Sequence, residues 1–129
     1  KMNAFVGDIE ELTENNENFR EVLFTGKFIQ LVVMCLKGGE EIGREVHHDV
    51  DQFFRVEEGE AEFIFNDEER HLVKADGAVI VPAGTIHNVI NLSKTEDLKL
   101  YTLYAPPNHP EGTIHVTKAE ADAAEEHHH

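Results

Sequence analysis

A single cysteine, Cys35, leaves no partner for an intrachain disulfide, so that kind of cross-link contributes nothing to this chain. It lies within Leu31-Val32-Val33-Met34-Cys35-Leu36 and reads as a small buried hydrophobe rather than a nucleophile. Basic residues are scarce as well: 11 Lys and Arg against 26 Asp and Glu give a formal charge of −15 with histidine neutral. Nucleic acid and anionic membranes both need a basic face, so neither is an expected partner. No apolar run approaches the ~20 residues of a membrane span. No charged-then-apolar leader opens the chain, and a cytoplasmic location is the expectation. The acidic surplus reads chiefly as a solubilising surface. It has one further consequence, since a strongly anionic substrate would be repelled at long range and would need a local metal or arginine.

What is present fits one domain, residues 1–126, large enough to bury about two-thirds of its unfolded surface. The closing His127-His128-His129 reads as a purification tag and stays outside the site argument. Asp8 to Leu12 has capping-box spacing and predicts one helical turn. Strands are expected at 19–24, 28–36, 50–56, 60–65, 70–74, 78–81, 87–91 and 98–104, with 41–47 as an approach to the site. The clearest alternation sets Ala61, Phe63 and Phe65 against Glu60, Glu62 and Ile64, the pattern of a half-buried strand. Pro82 stops the strand before it, and Pro106, Pro107 and Pro110 rule out sheet in their segment. Lys118 to Glu126 has helical composition. Short strands with turn signals every eight to twelve residues point to an all-β sandwich or barrel.

Chemistry concentrates between Gly43 and Gly59. Glu45 and His47 are two apart, so on an extended chain both leave the same face. Their Cα atoms then lie roughly 6.6 Å apart, close enough for a carboxylate and an imidazole to converge on one ion. Gln52 shares a face with Phe54 and Val56. His87 follows in Pro82-Ala83-Gly84-Thr85-Ile86-His87. The site hypothesis is that two strands bring Glu45, His47, Gln52 and His87 together around a divalent metal. Strand parity forbids His47 and His48 from facing the same way. The Glu45/His47 register is preferred over Val46/His48 because it offers two ligand-type side chains instead of one. Should Gln52 not bind, Glu45, His47 and His87 make a two-histidine, one-carboxylate set with open positions. Phe54, Phe63 and Phe65 are expected to fill the barrel, and Tyr101 or Tyr104 to reach its cavity. Asp49, Asp51, His71, His109 and His115 are expected at the surface. Outward apolar residues such as Phe53 suggest a subunit interface, and a homodimer is the expectation.

These residues resemble the cupin superfamily, small β-barrels of the jelly-roll type (double-stranded β-helix). Its second motif, Pro-x-Gly-x-x-His-x-x-x-Asn, is matched fully by Pro82, Gly84, His87 and Asn91. Its first motif is matched in part. Glu45 stands at the usual first histidine, His47 at the second, and Gln52 at the usual glutamate, six residues before Gly59. The glycine expected six residues before Pro82 is Asp76, with Gly77 one step late. The resemblance implies a jelly-roll barrel with a short N-terminal turn and a C-terminal helical tail. It also implies a divalent metal (Zn, Fe, Mn or Ni) on Glu45, His47, Gln52 and His87. The chain is similar, too, to compact cupins labelled mannose-6-phosphate isomerase-like. A phosphosugar site needs cationic groups, and the motif region offers Arg44 and Arg55, the latter outward on parity. The expected function is a metal-dependent enzyme, isomerase-like or dioxygenase-like, acting on a small sugar or a hydroxy- or keto-acid. A small-molecule-binding protein without catalysis is the alternative.

Overall fold

A computed structural model describes residues 3–126, so the tag histidines 127–129 lie outside the described residues. A short helix α1 (Ile9–Glu14) comes first, its N-terminus closed by the Asp8 carboxylate accepting from the Glu11 amide at 3.1 Å. Nine strands follow among the described residues: β1 (Arg20–Thr25), β2 (Gln30–Leu36), β3 (Asp51–Glu58), β4 (Glu60–Phe65), β5 (Glu69–Lys74), β6 (Ala78–Val81), β7 (His87–Asn91), β8 (Leu98–Ala105) and β9 (Ile114–His115). Helix α2 (Lys118–Glu126) ends the described chain. One sheet has the order β6-β3-β8-β2-β1-β9 and the other β5-β4-β7, and all pairings are antiparallel. Two facing antiparallel sheets form the expected all-β jelly roll, with a helix at each end of the chain.

The alternation read from the sequence sets the core. Gln52, Phe54 and Val56 on β3 point inward, as do Ala61 and Phe63 on β4 and Val89 on β7. They meet Met34, Leu36, Leu98, Leu100 and Tyr104 from β2 and β8. Phe54 and Phe63 pack edge to face at 5.1 Å.

The differences from expectation have local causes. The strand expected from Phe28 begins instead at Gln30, because the Gly26 amide bonds the Ile29 carbonyl and closes a turn that leaves Phe28 and Ile29 exposed. Residues 41–47 form no named strand, yet they run beside β7. Ile42 N bonds Val89 O at 2.9 Å, while Glu45 and His87 exchange both backbone bonds at 2.8 and 2.9 Å. Gly43, at φ 107°, interrupts this ladder. Asp76 takes the left-handed position (φ 75°) where the family pattern has glycine. Gly77 is needed for space, since a Cβ there would stand 2.6 Å from Val73 Cγ1. The β9 pairing with β1 went unforeseen, because two residues carry no periodicity.

Candidate functional site

The antiparallel bridge between Glu45 and His87 sets these residues directly opposite each other, and the Gly84 amide bonding the His47 carbonyl at 2.8 Å extends the alignment. Side chains two apart on the 45–47 segment therefore converge on the ring of His87. Glu45 Oε1 lies 3.6 Å from His47 Nε2 and 3.8 Å from His87 Nε2. The ligand-type atoms of all three residues fall within 4.8 Å of one another. His87 is buried, His47 and Glu45 nearly so, whereas His48 is exposed. Of the two registers, the geometry has the Glu45/His47 pair facing inward.

These distances exceed a hydrogen bond. They approach the roughly 3.4 Å expected between two ligands sharing one tetrahedral ion at ~2.1 Å. His87 Nδ1 lies 3.0 Å from the Thr85 carbonyl, which can only accept, so Nδ1 carries the proton and Nε2 presents its lone pair to the cluster. Both His47 Nε2 and His87 Nε2 are buried without a hydrogen-bond partner. Buried polar atoms are seldom left so. Orphaned imidazole nitrogens beside a carboxylate are a donor set that fits a divalent transition metal. Glu45, His47 and His87 thus form a group able to hold a metal ion.

Gln52 is buried on the inward face of β3, opposite Tyr104 of β8. Its amide nitrogen donates to Thr102 Oγ1 at 2.9 Å, leaving Oε1 buried and unpartnered. The Tyr104 ring meets His47 edge-on at 5.9 Å, and Phe54 stands 6.2 Å from His87. Tyr104 rather than Tyr101 is the inward tyrosine, while Tyr101 packs outside against Phe53.

Electrostatics follow the packing. Burial alone would raise the Glu45 carboxyl, but the His47 ring, and behind it Arg20 and His87, outweigh burial and hold it below its ordinary value. Burial pushes His87 down, against the Thr85 carbonyl and the Glu45 charge. It pushes the Tyr104 hydroxyl up, reinforced by Glu45.

The cluster opens into a cavity of about 610 Å³ whose wall includes Glu45, His47, Arg44, Arg20, His109 and His115, with Ala121 and Glu125 of α2 along one side. Here the expectations need correcting. His109 and His115, expected at the surface, line this cavity. The 105–113 loop returns to the site and folds His109 onto Tyr104 at 3.2 Å, while β9 docks on β1 and delivers His115. His71 is exposed and paired with Glu69, as expected. Arg44 is held by Asp67 at 2.8 and 3.0 Å, and Arg55 by Asp76. Arg20 was not singled out at all. Parity with Val22 and Phe24 inside a predicted strand was the available signal, because it puts a guanidinium on an inward face.

The family model for the cupin domain matches residues 32–104, more than half of the chain. The chain is 50% identical over 127 residues to the uncharacterized protein YrkC of Bacillus subtilis, covering 95% of this chain and 68% of YrkC. It is 40% identical over 120 residues to the uncharacterized protein L612 of Acanthamoeba polyphaga mimivirus, covering 92% and 75%. The crystal structure of BH2720 from Bacillus halodurans superposes with a TM-score of 0.89 at 46% identity, covering 92% of this chain and 93% of that one.

Proposed function

The chain belongs to the cupin family, and from that membership we propose that Glu45, His47 and His87, with the Gln52 amide oxygen as a fourth donor, hold a divalent metal ion. The observation that carries this reading is the pair of buried atoms His47 Nε2 and His87 Nε2, both without partners beside one carboxylate, with Gln52 Oε1 likewise buried and unpartnered. A bound ion would supply Lewis acidity, polarising a carbonyl or hydroxyl of a small oxygenated molecule, a sugar or a hydroxy- or keto-acid. The protein's own residues do the rest. Thr85 fixes the His87 tautomer, Phe54 packs beside that ring, and α2 lines one side of the cavity. Isomerase-like and dioxygenase-like chemistry are the two reaction classes this arrangement serves.

Metal analysis of tag-free protein is the test, since the closing histidines bind metal themselves. A stoichiometric ion in the wild type, lost in the His47→Ala/His87→Ala variant, supports the reading. An ion retained by that variant removes it.

A second reading, binding without turnover, draws on the protonation of the cavity wall. Burial drives His109 down to about 3, and Tyr104 is driven up, so neither exchanges a proton near neutrality. Recovery of a bound compound unchanged after long incubation with metal-loaded protein favours this reading. Conversion favours the first. A homodimer is also proposed, supported by the exposure of Leu72 and Ile80 on β5 and β6, and light scattering tests it.

A further inference from the structure

The same cavity holds a second unanswered group. Arg20 opens β1 on the inward face shared with Val22, and only 6% of it is exposed. Its Nη1 donates to His115 Nδ1 at 3.2 Å, and its Nε is buried with no partner. The Phe19 ring centroid lies 5.3 Å from the guanidinium carbon. The other three arginines each meet a carboxylate: Arg44 meets Asp67, Arg55 meets Asp76, and Arg70 meets Glu62. Arg20 joins none of the ion pairs among the described residues. A guanidinium cannot shed its charge, and taking it out of water without a counter-charge is costly.

We propose that Arg20 anchors the carboxylate of a small organic acid bound in this cavity, with the acid's other oxygens directed toward Glu45, His47 and His87. The direction of the ligand rests on the metal reading given above, while the anchor itself does not. A guanidinium fork matches a carboxylate in geometry, through two parallel N–H···O bonds. The balance of charge selects a monoanion. His109 and His115 on the same wall are both pushed down, by burial first and by the charge of Arg20 second, and stay neutral. Glu45 and Glu125 also face the cavity, and the whole chain carries −15. Arg44 on the same wall is already held by Asp67, so a phosphate dianion would bring two negative charges to one uncommitted cation beside two carboxylates. A carboxylate meets one charge with one.

Calorimetric titration tests this with lactate, pyruvate and gluconate as acid probes, sorbitol as the neutral counterpart of gluconate, and inorganic phosphate and glucose 6-phosphate as the competing anions. The proteins are wild type, Arg20→Met, Arg20→Lys and His47→Ala/His87→Ala, each free of tag. At least one acid is expected to bind wild type and to lose about ten- to a hundredfold in affinity in Arg20→Met, with metal content unchanged. Arg20→Lys, which keeps the charge without the fork, falls between, and sorbitol does not distinguish the variants. If Arg20→Met fails to fold, the Arg20→Lys loss and a crystal of wild type soaked in the bound acid decide, the carboxylate being expected on the guanidinium. Failure of every acid to bind, equal binding by Arg20→Met, or tighter Arg20-dependent binding of either phosphate overturns the proposal. Acid binding lost in the histidine variant but kept in Arg20→Met overturns the anchor and spares the metal reading. Arg20-dependent binding by a protein that holds no metal does the reverse.

Discussion

Strands β7 and β8 carry buried polar residues at both ends and treat them in opposite ways. At one end Asn91 donates to the carbonyls of Leu36, Lys37 and Glu96, and accepts from the Ser93 amide. Lys99 beside it donates to the Glu14 carbonyl at 2.6 Å and to Glu17 at 2.7 Å. At the other end His87 and Tyr104 adjoin a group of atoms that meet nothing: His47 Nε2, His87 Nε2, Gln52 Oε1 and Arg20 Nε. Both ends hold three ligand-type residues close together, for Glu17, Cys35 and Asp97 also lie within 4.8 Å of one another. That first group is already answered. Lys37 and Lys99 hold Glu17 down to about 2, and burial lifts the Cys35 thiol to about 11, where it stays protonated and ligates poorly. Residue types in proximity therefore do not make a site. Unmet hydrogen-bonding capacity distinguishes the end that waits for a ligand from the end that locks the barrel.

Removing a side chain from each end sharpens this contrast most. Asn91→Ala leaves three carbonyls and one amide around the buried end of β7 without their partner and is expected to lower stability by about 3 kcal/mol, read by urea denaturation. A loss below 1 kcal/mol would mean that the locked end is not locked. Next in size is ligand loading. Tag-free wild type with a divalent ion at 100 times its dissociation constant gains about 2.7 kcal/mol, while His47→Ala/His87→Ala gains nothing. Equal gains by both proteins would place the ion elsewhere.

The third prediction concerns protons in the metal-free protein. His109 titrates at about 3 when folded against its ordinary 6.5, so the unfolded chain takes up the extra proton first. Its contribution to stability is complete above pH 6.5 and is lost as pH falls from 6.5 toward 3, at up to about 1.4 kcal/mol per unit. Unfolding free energies at pH 6.5 and pH 5 should differ by about 2 kcal/mol from this group, and His109→Phe should flatten the slope. The smallest effect belongs to Gln52→Leu. That variant gives up the bond to Thr102 but also removes an orphaned oxygen, so metal-free stability should move by less than about 1 kcal/mol. A loss as large as that of Asn91→Ala would show Gln52 to be structural.

Most strands could be read in advance because one face of each is apolar, and a period of two survives in the residue order. Glu45, His47, Gln52 and His87 stood out by the same parity and by the spacing around Pro82 and Gly84. Arg20, His109 and His115 were passed over for a physical reason. A lone basic residue near the start of a strand is usually solvated, and neither His109 among prolines nor His115 in a two-residue strand has a period to place it. The lost strand start at Phe28 has a like cause, for apolar residues at a turn tip are indistinguishable in text from the strand beside them.

By itself the order of residues determined which faces turn inward, and hence the two-sheet barrel and the pairing of a carboxylate with histidines. Alternation and turn chemistry are local, and each acts within a few residues. Only the tertiary structure decided which polar atoms are left without partners and that β9 and the 105–113 loop bring two neutral imidazoles to the cavity wall beside Arg20. Desolvation and hydrogen-bond satisfaction depend on what lies across space, and the chain reports that only after it has closed.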